Sequence, residues 1–314
     1  MIKERIIFMG TPDFAVATLK ALLDANANVI GVITAPDRKS GRGMKLQPSS
    51  VKKFAVENGL NVLQPTNLKS EEFLKELREL KATLQIVVAF RMLPEVVWNM
   101  PEKGTFNLHA SLLPQYRGAA PINWAVINGE KESGVTTFFL QHKIDTGDVI
   151  LQEKVAIADD ETAGELHDKL MKVGADLVVK TLDAIENGNA PSTPQIASEN
   201  LREAPKIFKE TCKVDWNNSV DEVYNHVRGL SPYPAAFTTL VSGNEETGLK
   251  IFQARITEKT EKGENGTIAV ENKQFFVKCS DGWLEILELQ MAGKKRMDAK
   301  SFLLGFSLES YKCI

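Results

Sequence analysis

Short apolar runs alternate with amphipathic stretches from the N-terminus to about residue 109, and no other feature of the sequence constrains the fold as strongly. Ile6 to Met9 is a β-favouring run that ends at Gly10, and Thr11-Pro12-Asp13 then introduces Phe14 to Leu23, apolar at helical spacing. Val29 to Thr34 and Asn61 to Leu63 read as strands, with Val51 to Asn58 a helix between them closed by Gly59. Glu71 to Leu80 is a charged amphipathic helix. It leads into Leu84 to Ala89, an apolar run broken only by Gln85, as suits a strand covered on both faces. Thr105 to Leu108 continues the alternation. Such an α/β order predicts a doubly wound, mostly parallel sheet with right-handed crossovers and ligands bound beyond the carboxyl ends of the strands.

The pattern then changes. After a Pro- and Gly-interrupted loop, Pro114 to Gly118, a helix is expected around Ile122 to Asn128. Two strands follow, Val135 to Leu140 and Asp148 to Val155, joined by a turn at Asp145-Thr146-Gly147. Thr162 to Asn187 is a long helical stretch that stops at Gly188-Asn189-Ala190-Pro191, where a polar segment begins. A chain of 314 residues is long for one core. These signals divide it into a first domain over 1–189, a linker over 190–209 and a second domain over 210–314. In the last of these, Val220 to Val227 reads as a helix stopped by Gly229. The short β-rich runs Leu249 to Ile256, Thr267 to Val270, Phe275 to Cys279 and Trp283 to Leu287 suggest a small barrel or sandwich.

Charge and cysteine usage narrow the function classes. The net charge of -3 counts against nucleic-acid binding taken as an average, but Pro36 to Lys53 holds six basic residues (Arg38, Lys39, Arg42, Lys45, Lys52, Lys53) against Asp37 alone. A second cluster, Lys294, Lys295, Arg296 and Lys300, lies near the other end; either could be a solvated face. Three cysteines with no CxxC or Cys-His spacing argue against a disulfide framework and a structural zinc site, and fit a reducing, cytoplasmic compartment. The apolar run Ile6 to Met9 is far too short for an export signal or a membrane span, so no membrane association is expected.

The residues able to do chemistry are few. Gly10-Thr-Pro-Asp lacks the further glycines of a dinucleotide fingerprint and reads as a strand-to-helix turn. Asn107 and His109 lie two apart on a strand, hence on one face, at its carboxyl end. Asp145 adds a carboxylate in a tight turn, where the ordinary role of an Asp is to cap its own backbone. Together an amide, an imidazole and a carboxylate suit acyl transfer to an amine. The amide or imidazole can stabilise an oxyanion, His or Asp can take the amine's proton, and the carboxylate can orient the imidazole. There is no GxSxG elbow, no nucleophilic Cys motif and no metal-binding His cluster, so neither a covalent intermediate nor a metal is expected. His142, His167 and His226 are expected to be structural or solvent-facing.

Three further segments carry a resemblance. Asn107-Leu-His109-Ala-Ser111-Leu112-Leu113-Pro114, then Arg117-Gly-Ala-Ala-Pro121, then Asp145-Thr-Gly-Asp148 together resemble the folate-dependent formyltransferase family. Phe8 to Pro12, Pro36-Asp37-Arg38 with Gly41-Arg42-Gly43, and Ala292 to Lys295 extend the likeness over essentially the whole chain. The resemblance implies a Rossmann-like catalytic domain followed by a small OB-like β-barrel. It implies that Asn107, His109 and Asp145 are the catalytic trio, that Ser111, Leu112, Leu113 and Pro114 contact the cofactor, and that this cofactor is 10-formyltetrahydrofolate with no metal. It implies an acceptor amine on initiator methionyl-tRNA, held by Arg38, Arg42 and Lys45 in the loop from Pro36 to Pro48 and by Lys206, Lys294 and Lys295. A monomer is the working expectation. Ala89 to Pro94 departs from the family pattern near the expected folate pocket, as does Leu201 to Lys209 in the linker.

Two other classes compete. A folate formyltransferase acting on an amino sugar or a purine-precursor amine, or a formyl-folate hydrolase, would use the same trio. A non-catalytic RNA-binding module on an enzyme's scaffold would have no need of it. The cationic loop favours a large anionic acceptor over the small-amine readings.

Overall fold

The computed structural model describes residues 3–40, 44–196 and 200–314. In chain order its elements begin with β1 (Ile6–Gly10), α1 (Asp13–Asp24), β2 (Val29–Ile33), β3 (Arg38–Ser40), β4 (Lys45–Gln47), α2 (Ser50–Glu57) and β5 (Val62–Leu63). They continue with α3 (Glu71–Glu79), β6 (Leu84–Val88), α4 (Glu95–Trp98), β7 (Thr105–His109), β8 (Arg117–Gly118), α5 (Pro121–Ile127), β9 (Glu132–Phe139), β10 (Val149–Ala156) and α6 (Ala163–Glu186). The remainder comprises β11 (Glu203–Ala204), α7 (Val220–Leu230), β12 (Ala236–Ser242), β13 (Glu245–Ile256), β14 (Ile268–Glu271), β15 (Gln274–Lys278), β16 (Trp283–Met291), β17 (Met297–Asp298), α8 (Ala299–Gly305) and β18 (Lys312–Cys313).

Two compact units result: Met1–Gly118 with Ser133–Val155 and His167–Glu203, and Ala119–Glu132 with Ala156–Leu166 and Ala204–Ile314. These do not coincide with the spans 1–189 and 210–314 expected from the sequence. The segments 119–132 and 156–166 pack with the C-terminal residues because α7 provides a surface shaped for them. Asn123 Nδ2 donates to Gly229 O at 2.8 Å, and the Arg228 guanidinium donates from Nη1 to Glu161 O at 2.9 Å. Gly229 therefore does not stop α7, which runs on to Leu230. A Cβ there would stand 2.8 Å from Ile127 N, so the glycine lets α5 lie against α7.

The first unit carries the expected sheet, in the order β10-β9-β7-β6-β1-β2-β5. β1 pairs in parallel with β2 and β6, β2 with β5 and β6 with β7, while β9 is antiparallel to β7. β1 and β6 are buried along their whole length, as continuous apolar runs require. α1 lays Phe14, Ala15, Thr18, Leu19 and Leu22 inward. The chain order reverses between β1 and β6, with β2 and β5 on one side and β6 and β7 on the other. Such a switch point opens a crevice at the carboxyl ends of the strands.

The second unit is an antiparallel barrel in the order β14-β15-β16-β13-β12-β18 with β17 on β16. The bridge between Thr267 and Lys312 brings its two ends together, so that few edge groups stay unpaired. β12, absent from the sequence reading, forms a hairpin with β13 in which Ser242 faces Glu245 across Gly243-Asn244, and a Gly-Asn pair is a known two-residue turn signal. Its core is built from residues such as Trp216, Leu230, Leu240, Ile251, Phe275 and Leu289. α7 is started by a capping box in which Ser219 and Glu222 satisfy each other's backbone amides. Among the described residues no helix is long and apolar enough to cross a membrane.

Candidate active site

β7 brings Asn107 and His109 to the carboxyl end of the sheet. Asn107 lies in register with Val87 of β6 and Phe138 of β9, and His109 opposite Thr136. His109 is only 6% exposed, so both ring nitrogens must be accounted for by protein or ligand. Its Nε2 lies 2.8 Å from Tyr116 O. A carbonyl can only accept, so Nε2 carries a proton and donates it. Nδ1 faces Asp145 Oδ2 at 3.9 Å, too far for a hydrogen bond but close enough for charge attraction.

Asp145 does not cap its own turn. Its Oδ2 accepts from Gly118 N at 3.0 Å, and the residue sits at φ 52°, in the left-handed region that Asp tolerates better than most side chains. Thr146 closes the turn instead, donating from Oγ1 to Lys143 O at 3.0 Å. The carboxylate is thus fixed from outside its turn and aimed at His109. Asn107 completes the group with a buried Oδ1 that has no hydrogen-bond partner among the described residues. A buried orphan acceptor of this kind calls for an N–H from a bound molecule.

The loop Ser111 to Pro114 is braced at the same end of the sheet. Thr136 Oγ1 donates to Ser111 O at 2.6 Å, Gln152 Nε2 donates to Leu113 O at 2.8 Å, and Ser111 Oγ donates to Gln115 O at 2.6 Å. The Ser111 hydroxyl is therefore spent on its own loop, and Leu112 and Pro114 are its half-buried members, Leu112 packing over Gly134 of β9. The divergent segment Ala89 to Pro94 is held by Arg91, which donates from Nη1 to Thr66 O at 3.0 Å and from Nη2 to Pro65 O. Burial, and then the nearby Arg38, lowers the pKa of this guanidinium.

The basic loop forms a hairpin, β3 paired with β4, that the sequence reading left unassigned. Arg38 and Lys45 are exposed on it, while Arg42 lies outside the described residues. Its root is anchored: Gln64 Nε2 donates to Asp37 Oδ1 at 2.8 Å, and Lys52 Nζ reaches Asp37 Oδ2 at 2.7 Å. The Gln64 hydrogen bond first, then Lys52, hold the Asp37 carboxyl below its usual range. In the second unit Lys206, Lys294 and Lys295 are exposed, Lys206 lying 5.5 Å from the Phe208 ring centroid. Arg296 of the same cluster is committed to Glu288 and stacks 4.2 Å from the Phe252 centroid.

The remaining candidates take no part in this arrangement. His142 is exposed beside Glu95, and His167 pairs with Asp168 at 3.0 Å. The three thiols are free and buried, and burial pushes Cys279 and Cys313 up to about 12, which suppresses thiolate chemistry. Among the described residues no group of three His, Cys, Asp or Glu side chains could hold a metal ion. Sequence reasoning missed Tyr116, Gly118, Thr136 and Gln152. The first two act through backbone groups and leave no residue-type signal; the others are ordinary polar residues whose role depends on tertiary placement.

Comparison with known proteins bears on the whole chain. The family model described as Formyl transferase matches residues 4–182, and the one described as Formyl transferase, C-terminal domain, matches 206–307. A methionyl-tRNA formyltransferase of Bacteroides fragilis is 56% identical over 315 aligned residues, covering 98% of this chain and 97% of that protein. One of Flavobacterium johnsoniae is 53% identical over 307, covering 98% of each. Among solved structures, the N-formyltransferase from Helicobacter canadensis, in complex with folinic acid and dTDP-3-aminofucose, superposes with a TM-score of 0.67 at 22% identity over 95% of this chain and 100% of that one. HypX from Aquifex aeolicus gives 0.65 at 19% identity over 98% of this chain, which spans 49% of the HypX chain. At these identities the solved structures attest the fold, whereas both family models and the full-length relatives speak to descent: the chain belongs to the formyl transferase family.

Proposed function

We propose that this chain transfers the formyl group of 10-formyltetrahydrofolate to the amino group of initiator methionyl-tRNA. The observation that carries the chemistry is His109, bound through Nε2 to Tyr116 O and turned through Nδ1 toward Asp145. With Nε2 already a donor, Nδ1 is the nitrogen available to take a proton from an attacking amine, and Asp145 balances the positive charge that then forms on the ring. The orphan Oδ1 of Asn107 accepts an N–H of that amine, and the amide's Nδ2 donates to the oxygen on which negative charge develops. Bound 10-formyltetrahydrofolate would supply the one-carbon unit at the oxidation level of a formyl group, its C–N10 bond breaking as the new C–N bond forms, and the proton taken up by His109 would pass to the departing folate nitrogen. Leu112 and Pro114, in the braced loop Ser111 to Pro114, would line its place beside β7.

The acceptor is argued from charge and from relatives. Relatives more than 50% identical along their whole length are named methionyl-tRNA formyltransferase. Arg38 and Lys45 on the hairpin, Arg42 between them in sequence, and Lys206, Lys294 and Lys295 in the second unit suit phosphate contacts that position an RNA without reading its sequence. In this reading 1–189 carries the chemistry, 190–209 links, 210–314 helps hold the RNA, and the reaction belongs to the cytoplasm as a step preceding translation initiation. An acceptor panel with labelled formyl donor tests it. Label should pass to methionyl initiator tRNA, and free methionine and nucleotide-linked amino sugars should be far poorer acceptors. Equal rates on free methionine would refute the tRNA assignment.

A further inference from the structure

Pro191 to Ile196 lies across the Asp145 turn as an exposed strap in which only Gln195 turns inward. Thr193 exchanges two backbone hydrogen bonds with Val149, at 2.8 and 2.9 Å, and Ser192 Oγ donates to Asp148 Oδ2 at 2.7 Å. The Gln195 amide then fills its hydrogen-bonding capacity. Nε2 donates to Asp145 O at 3.0 Å and to Gly147 O at 2.7 Å, and Oε1 accepts from Arg117 Nε at 3.1 Å and Nη2 at 2.6 Å. Arg117 adjoins Gly118, whose N–H fixes the Asp145 carboxylate, and follows Tyr116, whose carbonyl fixes His109 Nε2. One side-chain amide therefore couples the two segments that set both nitrogens of His109.

We propose that Gln195, backed by Arg117, is a positioning residue for the transfer reaction: it holds the Asp145 turn at the distance and angle from His109 on which proton uptake depends. The proposal rests on the functional reading above. Its physical basis is the asymmetry of the amide. Carbonyl oxygens 145 and 147 need donors, the guanidinium needs an acceptor, and only a side chain with both ends satisfies all four bonds. With Gln195 absent, the Asp145 turn, already at positive φ, keeps the Gly118 bond to its carboxylate but loses both side-chain bonds to its backbone.

The test compares Gln195→Ala, Gln195→Glu and, as a control that weakens the strap without touching residues 145 or 147, Ser192→Ala. Gln195→Glu is decisive because it keeps the size and can pair with Arg117, yet sets an anion against two carbonyl oxygens. Both Gln195 variants should lower kcat by roughly 10- to 100-fold, the scale of a misplacement near 1 Å. KM for donor and acceptor should stay within about twofold of wild type, and Ser192→Ala should match wild type in kcat. The imidazole resonances of His109, one of four histidines in the chain, should shift in both Gln195 variants and not in Ser192→Ala. Wild-type kcat in Gln195→Glu, or unmoved His109 resonances, would overturn the proposal. A wild-type chain inactive on every acceptor would overturn the functional reading instead, and the resonances would then decide the positioning claim alone.

Discussion

Replacing Gly147 by alanine places a methyl group where the Asp145 turn meets the end of β9. An ideal Cβ at Gly147 would stand 1.6 Å from Phe139 O and 2.8 Å from the carbon of that carbonyl, and Cβ contacts under 3.0 Å essentially do not occur. Relieving the first contact needs a displacement of at least 3.0 − 1.6, or about 1.4 Å. The obstacle is backbone and cannot rotate aside. Phe139 N donates to Asp148 O at 3.1 Å, and β9 is paired with β7 through this stretch. The turn must therefore move, at a cost near the upper end of the roughly 1–3 kcal/mol typical of overpacking. A shift of that size is more than a third of the 3.9 Å between His109 Nδ1 and Asp145 Oδ2. Misplacements near 1 Å lower rates by about 10²-fold. Initial rates of label transfer from 10-formyltetrahydrofolate, with a thermal melt on the same samples, measure both effects. Gly305→Ala, where an added Cβ meets nothing within 4 Å, is the control and should be neutral. A Gly147→Ala protein that transfers formyl within about threefold of wild type would refute the view that this turn sets the reacting geometry.

Other expectations concern the RNA and the second unit. Arg42→Ala should weaken binding of methionyl-tRNA and lower the slope of log affinity against log salt by about one unit, one phosphate contact's share; an unaltered slope would make the loop a solvated face. His226 is half-buried with its Nε2 shielded from solvent, and burial lowers its pKa against the opposing hydrogen bond with the Cys212 backbone. The unfolded ring, titrating near about 6.5, takes up protons that the folded ring refuses. The second unit should therefore keep this contribution above about pH 6.5 and lose it as pH falls through the lower folded pKa. Urea unfolding across that window should show the slope in wild type and a smaller one in His226→Gln; identical slopes would exclude the residue as its source.

The centre of the first unit's sheet was legible because β1 and β6 are continuous apolar runs and α1 and α3 are amphipathic, so periodicity placed them. β7 could be read with Asn107 and His109 on one face for the same reason. What escaped was short, polar or set by tertiary contact. The β3 to β4 hairpin has the composition of a charged loop, and α8 is a seven-residue helix announced only by its Asp298 cap. Gly229 looked like a stop and is a packing contact between two helices. Asp145 could be found as a turn carboxylate, but its partner Gly118 is 27 residues away and bonds through a backbone amide, which no side-chain pattern records. Gln195 sits in a polar segment whose composition suits a linker, and nothing in that composition marks the one side chain that turns inward.

Single-turnover formyl transfer to methionyl initiator tRNA, measured for wild type, Asn107→Ala, His109→Ala and Asp145→Asn alongside tRNA affinity, tests the central claim most directly. The rate should fall by about 10²- to 10³-fold when the Asn107 donor is removed, and also fall clearly in the other two variants, while tRNA affinity stays at the wild-type value. Wild-type rates in all three would contradict the account, because the transfer would then be carried by groups elsewhere in the chain.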